Sequence, residues 1–246
     1  MVTKQRNFEM EWAKEHLDTL NVQYSAFMSK PENSYLITTH EDLKRGLLAI
    51  TVDFVGAIHV LRLGLIAGDF ICNLRASLEH LAWELAKIGK RRPSAETCFP
   101  ICSVDCSRTQ ARIAAATNGM PAEAIARVKS LQPYNDGKAY KSHPLWRLNF
   151  LWNANKHRII GLHSHQSGTL FEVAGGVAVE ERRFDDKKIV TIPLSDKHKV
   201  RFNPRPDVEI FFGDKERGIQ LTIQDLGDIY EFVRIKVSPA LSCFLP

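Results

Sequence analysis

The chain has 246 residues, 44% hydrophobic and 25% charged, with a formal net charge of +5. This is ordinary for a folded soluble protein and ample for a real core, whether in one large domain or two small ones. The mildly basic balance falls short of the clustered Lys and Arg that would by itself argue for nucleic acid. The first residues, MVTKQRNFEMEWAKEH, hold no apolar signal core, and the apolar run 60–70 is broken by Arg62 and Asp69. A secreted or membrane-spanning protein is therefore not expected, and the chain reads as soluble and cytoplasmic, without membrane contact.

Residues 4–29 carry Phe8, Trp12, Leu17, Leu20, Tyr24 and Phe27 at helical spacing, and Pro31 stops the pattern. Residues 34–39 (SYLITT) and 47–55 (LLAITVDFV) are β-branched and aromatic, and the polar link 40–46 makes them a hairpin. A long helix then covers 59–89, with Gly89 as its stop and Pro93 beyond it. Residues 93–107 read as irregular. Two shorter helices occupy 107–116 and 121–131, with Pro121 in the first turn of the second, and 132–141 reads as a loop. Pro144 opens a further helix, PLWRLNFLWNANKHRIIGL, whose apolar side is Leu145, Leu148, Leu151, Trp152 and Ile159. From 167 the texture becomes short alternating runs at 170–173, 177–181, 188–192, 200–202 and 208–212. An amphipathic helix over 223–241 closes the chain.

The resulting expectation is an α+β fold: a helical bundle with an N-terminal β-hairpin, and an antiparallel β region inserted before the C-terminal helix. It is read as a single domain over 1–246, with a helical core at 1–166 plus 223–246 and the β region at 167–222.

Five cysteines, an odd number, stand at 72, 98, 102, 106 and 243, and an intracellular chain of this size needs no disulfide framework. Cys98, Cys102 and Cys106 are spaced C-x3-C-x3-C but lack a fourth ligand at zinc-site spacing. They are read as thiols around a loop, and no metal is assigned. His157, His163 and His165, with Asp69 or Glu84, are a weaker metal candidate without a spaced motif to support it. The chain has no G-x-G-x-x-G, no G-x-x-x-x-G-K-[ST] and no G-x-S-x-G, and no cofactor is expected.

The informative stretch is GDFICNLRASLEHLAWELAKIGK, residues 68–90. Asp69, Asn73, Ser77, His80, Glu84 and Lys87 recur every three or four residues and fall within roughly a quarter of a helix circumference. Asn149, Asn153, Lys156 and His157 form a second such stripe on the Pro144 helix. Together the two stripes are read as a lined site or as a polar network that fixes how the helices dock. Arg75 and His80 add a permanent cation, suited to phosphate, and a group that titrates near neutral pH.

Arg75 and His80, spaced R-x4-H within a helical bundle, resemble the HEPN superfamily. The wider frame, LIAGDFICNLRASLEHLAWELA followed by FPI, LQPYN and PLWRLNFLWNANKHR, is similar to a bacterial family of unknown function. The HEPN resemblance implies a metal-independent RNase of a defence or toxin system, working as a homodimer on RNA. It would give Arg75 the phosphate and His80 the proton. In that case Asn73 and His157 would orient, and the stripes would add Asp69, Asn149, Asn153, Lys156 and His157 as the binding residues of the site. The alternative is a non-catalytic bundle that binds a partner protein or small ligand.

Overall fold

The computed structural model describes residues 2–29, 36–53, 57–89, 92–156, 160–167, 171–173, 180–184, 187–202, 207–214 and 219–245. The chain is α+β and divides into two compact units. Unit 1 comprises Met1–Asn21, Gly64–Gly161 and Phe212–Pro246; unit 2 comprises Val22–Leu63 and Leu162–Phe211.

The longest element is α2, Ala57–Ile88, a stretch with no proline in which glycine appears only at 64 and 68. Within unit 1 it buries Phe70, Ile71, Leu74, Leu78, Leu81 and Leu85, the i, i+3, i+4 set that defines a core-facing stripe. Trp83, grouped with them by its apolar character, is 38% exposed. In unit 1, helix α1, Val2–Met28, buries Ala13, Leu17 and Leu20 and meets α2 through the side chains of Glu9 and Met10. Helices α3, Ser107–Ala116, and α4, Ala122–Ser130, add Ile113, Ala116, Ala124 and Val128 to the core. Pro121 is the cap residue before α4 rather than part of its first turn. The segment Pro133–Ser142, expected as a loop, is a kinked 3-10 helix broken at Gly137, whose φ of 56° only glycine adopts freely.

Helix α5, Pro144–Asn155, is shorter than the pattern predicted. Gly161–Ser167 instead forms strand β3, because Ile159, Ile160 and Gly161 together favour extended chain over helix. The C-terminal helix is three pieces: α6, Ile223–Phe232; a π turn, Val233–Val237; and α7, Ser238–Ser242. Pro239 explains the widened turn, since it lacks an N–H and its ring presses on the carbonyl four residues back. Thr222 and Asp225 close α6 with a capping box. Asp225 also binds the Arg147 guanidinium at 2.6 Å, so one carboxylate caps α6 and ties it to α5. Thr222→Ala is expected to lower stability by about 1 kcal/mol, read from a denaturation midpoint.

Unit 2 is built on a sheet of order β1-β2-β6-β5, with strands Leu36–Asp42, Leu47–Asp53, Lys187–Pro193 and Glu180–Phe184. All its neighbouring strands are antiparallel. The hairpin and the β region, which read as separate features, thus share one sheet. Ile50 lies opposite Val190 and Leu48 opposite Ile192, and these four are buried together. Period-two alternation places them on one face, where Ile37, Leu194 and Val200 cover them. The hairpin link is shorter than the polar run suggested, because Asp42 accepts from the Lys44 and Arg45 amides and tightens the turn into Gly46. Strands β4, Phe171–Val173, and β7, Val200–Phe202, pair separately. Strand β8, Asp207–Asp214, neighbours β3 and pairs with β9, Ile219–Leu221, a strand the sequence pattern missed.

Candidate functional site: the polar face of helix α2

Arg75 lies inside the fold, 7% exposed. Its Nη2 donates to the Phe99 carbonyl at 2.7 Å and ion-pairs with Glu79 one turn on. Glu79 in turn accepts the Phe99 amide at 2.9 Å. The two side chains therefore satisfy both backbone polar groups of one buried residue, as a neighbouring strand would. The Nε and Nη1 atoms of Arg75 are shut from solvent without a hydrogen-bond partner among the described residues. Desolvation lowers the guanidinium's pKa and Glu79 opposes that shift, yet an arginine keeps its charge. No face of Arg75 is left open to hold a phosphate.

The same interlock continues through Gln132. Its side chain accepts the Cys102 amide at 2.9 Å and donates to the carbonyls of Pro100 and Val128. Asn135 closes the end of α4 by donating to the carbonyls of Lys129, Ser130 and Gln132. The quoted motifs RASLEH, FPI and LQPYN thus meet in space. Arg75 and Glu79 hold Phe99, and Gln132 holds the chain on either side of Ile101. Spacing in one sequence had no means of pairing residues this far apart.

His80 has a different setting. Its Nδ1 stands 2.6 Å from Glu9 Oε2, on α1. Both atoms are sealed from solvent, and their alignment meets ion-pair but not hydrogen-bond geometry. The side chain of His80 is still 34% exposed, so its wet edge is not the one facing Glu9. Burial pushes the Glu9 carboxyl above its usual pKa, with the imidazole pulling it back. Glu9 was absent from the sequence reading, because its partner lies on another helix. Ser77, on the same stripe, is buried and bonded to the Leu74 carbonyl and the Met10 sulfur, so it offers no free hydroxyl. Asn73 donates to the Asp69 carbonyl of its own helix, and Asp69 is exposed.

The helices that carry the two polar stripes, α2 and α5, touch at Asn155, a residue of neither stripe and not singled out from sequence. Its amide lies 3.3 Å from Cys72 Sγ and 3.5 Å from the Gly68 carbonyl. A Cβ at position 68 would stand 2.7 Å from Asn155 Oδ1, so glycine lets the amide approach. Gly68 precedes His80 by twelve residues, about 18 Å along a helix, so this contact is remote from the imidazole. Asn149 is half-buried and Asn153 exposed. Lys156 is exposed, with its ammonium 4.5 Å from the centre of the Trp152 ring. His157 lies outside the described residues. His163 and His165 lie on β3.

Burial raises the thiol pKa of Cys98 and Cys102, while hydrogen bonding with Thr109 lowers that of exposed Cys106. No group of three or more His, Cys, Asp or Glu among the described residues is placed to hold a metal ion. Among them, too, no helix is long and apolar enough to cross a membrane. No family model, no curated protein and no solved structure matches the chain.

Proposed function

We propose that this protein is a non-catalytic helical-bundle protein that binds a partner protein or small ligand, its Arg75, Glu79 and His80 serving the fold rather than a reaction. The observation that carries this reading is the sealed guanidinium of Arg75, committed to Phe99 and Glu79. An R-x4-H nuclease needs that cation at its substrate. The test incubates the purified chain with labelled single-stranded RNA in the presence of a chelator. The expected result is no cleavage beyond that of His80→Ala. The substitution itself should lower stability by about 1–3 kcal/mol, because Glu9 loses its buried partner. Cleavage by the wild type that vanishes in a fully stable His80→Ala variant overturns the reading.

One observation favours a second reading, the HEPN-like metal-independent RNase. A carboxylate fixed against Nδ1, with the rest of the ring wet, is how an imidazole is set up to move protons. In that reading His80 is the acid or base and Glu9, not Arg75, is its companion. Glu9→Gln would then depress RNA cleavage along with His80→Ala, and a homodimer would supply the second half of the cleft.

A further inference from the structure

We propose that His143 is a pH-operated latch at the start of α5, which holds that helix against α6 when its imidazole is neutral and weakens the hold when it gains a proton. The residue is the N-cap of a twelve-residue helix, and its Nδ1 accepts the Leu145 amide at 3.1 Å. A protonated Nδ1 carries a hydrogen and cannot accept, so one event both removes the cap and leaves the Leu145 N–H without its partner. The same event places a cation at the positive end of the helix dipole. It also places that cation in a site only 8% exposed, where its hydration is lost. All three effects oppose protonation.

The surrounding groups decide how far they are compensated. The ring packs edge-to-face on Phe232 of α6, with centroids 5.0 Å apart, and that residue brings no charge. Asp225 of α6 is occupied by Arg147 of α5. Among the described residues, the carboxylate of Asp136, in the preceding 3-10 segment, favours the cation, and burial outweighs it. The folded pKa therefore lies below the ordinary 6.5. Between those two values the unfolded chain binds the extra proton. The latch is thus fully effective above 6.5 and is lost progressively as the pH falls below it, by at most tenfold in the folding equilibrium per pH unit.

Two measurements on the full chain test this. The first is the NMR titration of the His143 ring, assigned by its loss in His143→Asn. A midpoint below 6.5 supports the latch, and one at or above 6.5 overturns it. The second compares denaturant midpoints of wild type and His143→Asn from pH 7.5 to 5.5, asparagine being a cap that does not titrate. The wild type is expected to lose up to tenfold more of its folding constant per unit, and parallel curves overturn the proposal. Should the variant fail to fold, the wild-type ring, assigned through its contact to Phe232, decides alone.

Discussion

Glu79→Gln is expected to destabilise unit 1 more than Arg75→Met. Glutamine keeps an acceptor near the Phe99 amide but removes the carboxylate paired with Arg75. A guanidinium 7% exposed is then left without a counter-charge, which costs about 3–5 kcal/mol. Methionine at 75 fills much of the same volume and frees Glu79, whose side chain is 33% exposed and can take water instead. The residual loss is the hydrogen bond to the buried Phe99 carbonyl, about 1–3 kcal/mol. The double variant should cost less than the sum of the two, since the charge that Glu79→Gln strands is absent once Arg75 is methionine. The reading is convenient: Trp12, Trp83, Trp146 and Trp152 all lie in unit 1, so intrinsic fluorescence in urea reports that unit. Stability unchanged in Arg75→Met, with a ligand or substrate lost, would instead return Arg75 to a binding role.

Gly89→Ala carries the other large expected effect. A Cβ at 89 would stand 1.7 Å from the Gly119 carbonyl oxygen, against backbone that cannot rotate aside. The end of α2 and the α3–α4 turn must part, and about 3 kcal/mol or more of stability should go with them. Gly68→Ala is the informative contrast. There the obstacle is the tip of Asn155, which can swing away. The loss of its contacts is offset by about 1 kcal/mol of helix propensity gained, leaving a net change within about 1 kcal/mol of zero. Equal midpoints for Gly89→Ala and wild type would show that α2 and the turn do not approach as described.

The helices were legible because burial on one side of a helix imposes its period on the chain. Phe70, Leu74, Leu78, Leu81 and Leu85 all sit in the core where that period places them. The strands of unit 2 were legible for the same reason, through the alternation of Leu48 and Ile50 and of Val190 and Ile192. Element ends were less so. Gly89 reads as a helix stop, yet its φ is not left-handed, and what requires glycine there is the space taken by Gly119. Gly161 and Leu162 read as the tail of a helix, because the apolar run that leads into them suits either state.

The polar stripe of α2 was also visible, but its meaning was not. Periodicity reports that Ser77 and His80 share a face; it is silent on which helix covers that face. Glu9, Phe99 and Asn155 are partners that side chains or backbone of α2 meet there, and they stand 20 to 87 residues away from the α2 residues they touch.

What the amino-acid order determined alone is local: an α+β chain, its helices and strands, and a row of polar groups along its longest helix, because side-chain pattern and backbone preference act over a few residues. Only the tertiary structure decided that Arg75 closes on Phe99 and His80 on Glu9. A charge's role is set by the groups that desolvate and pair it, and those arrive from distant parts of the chain.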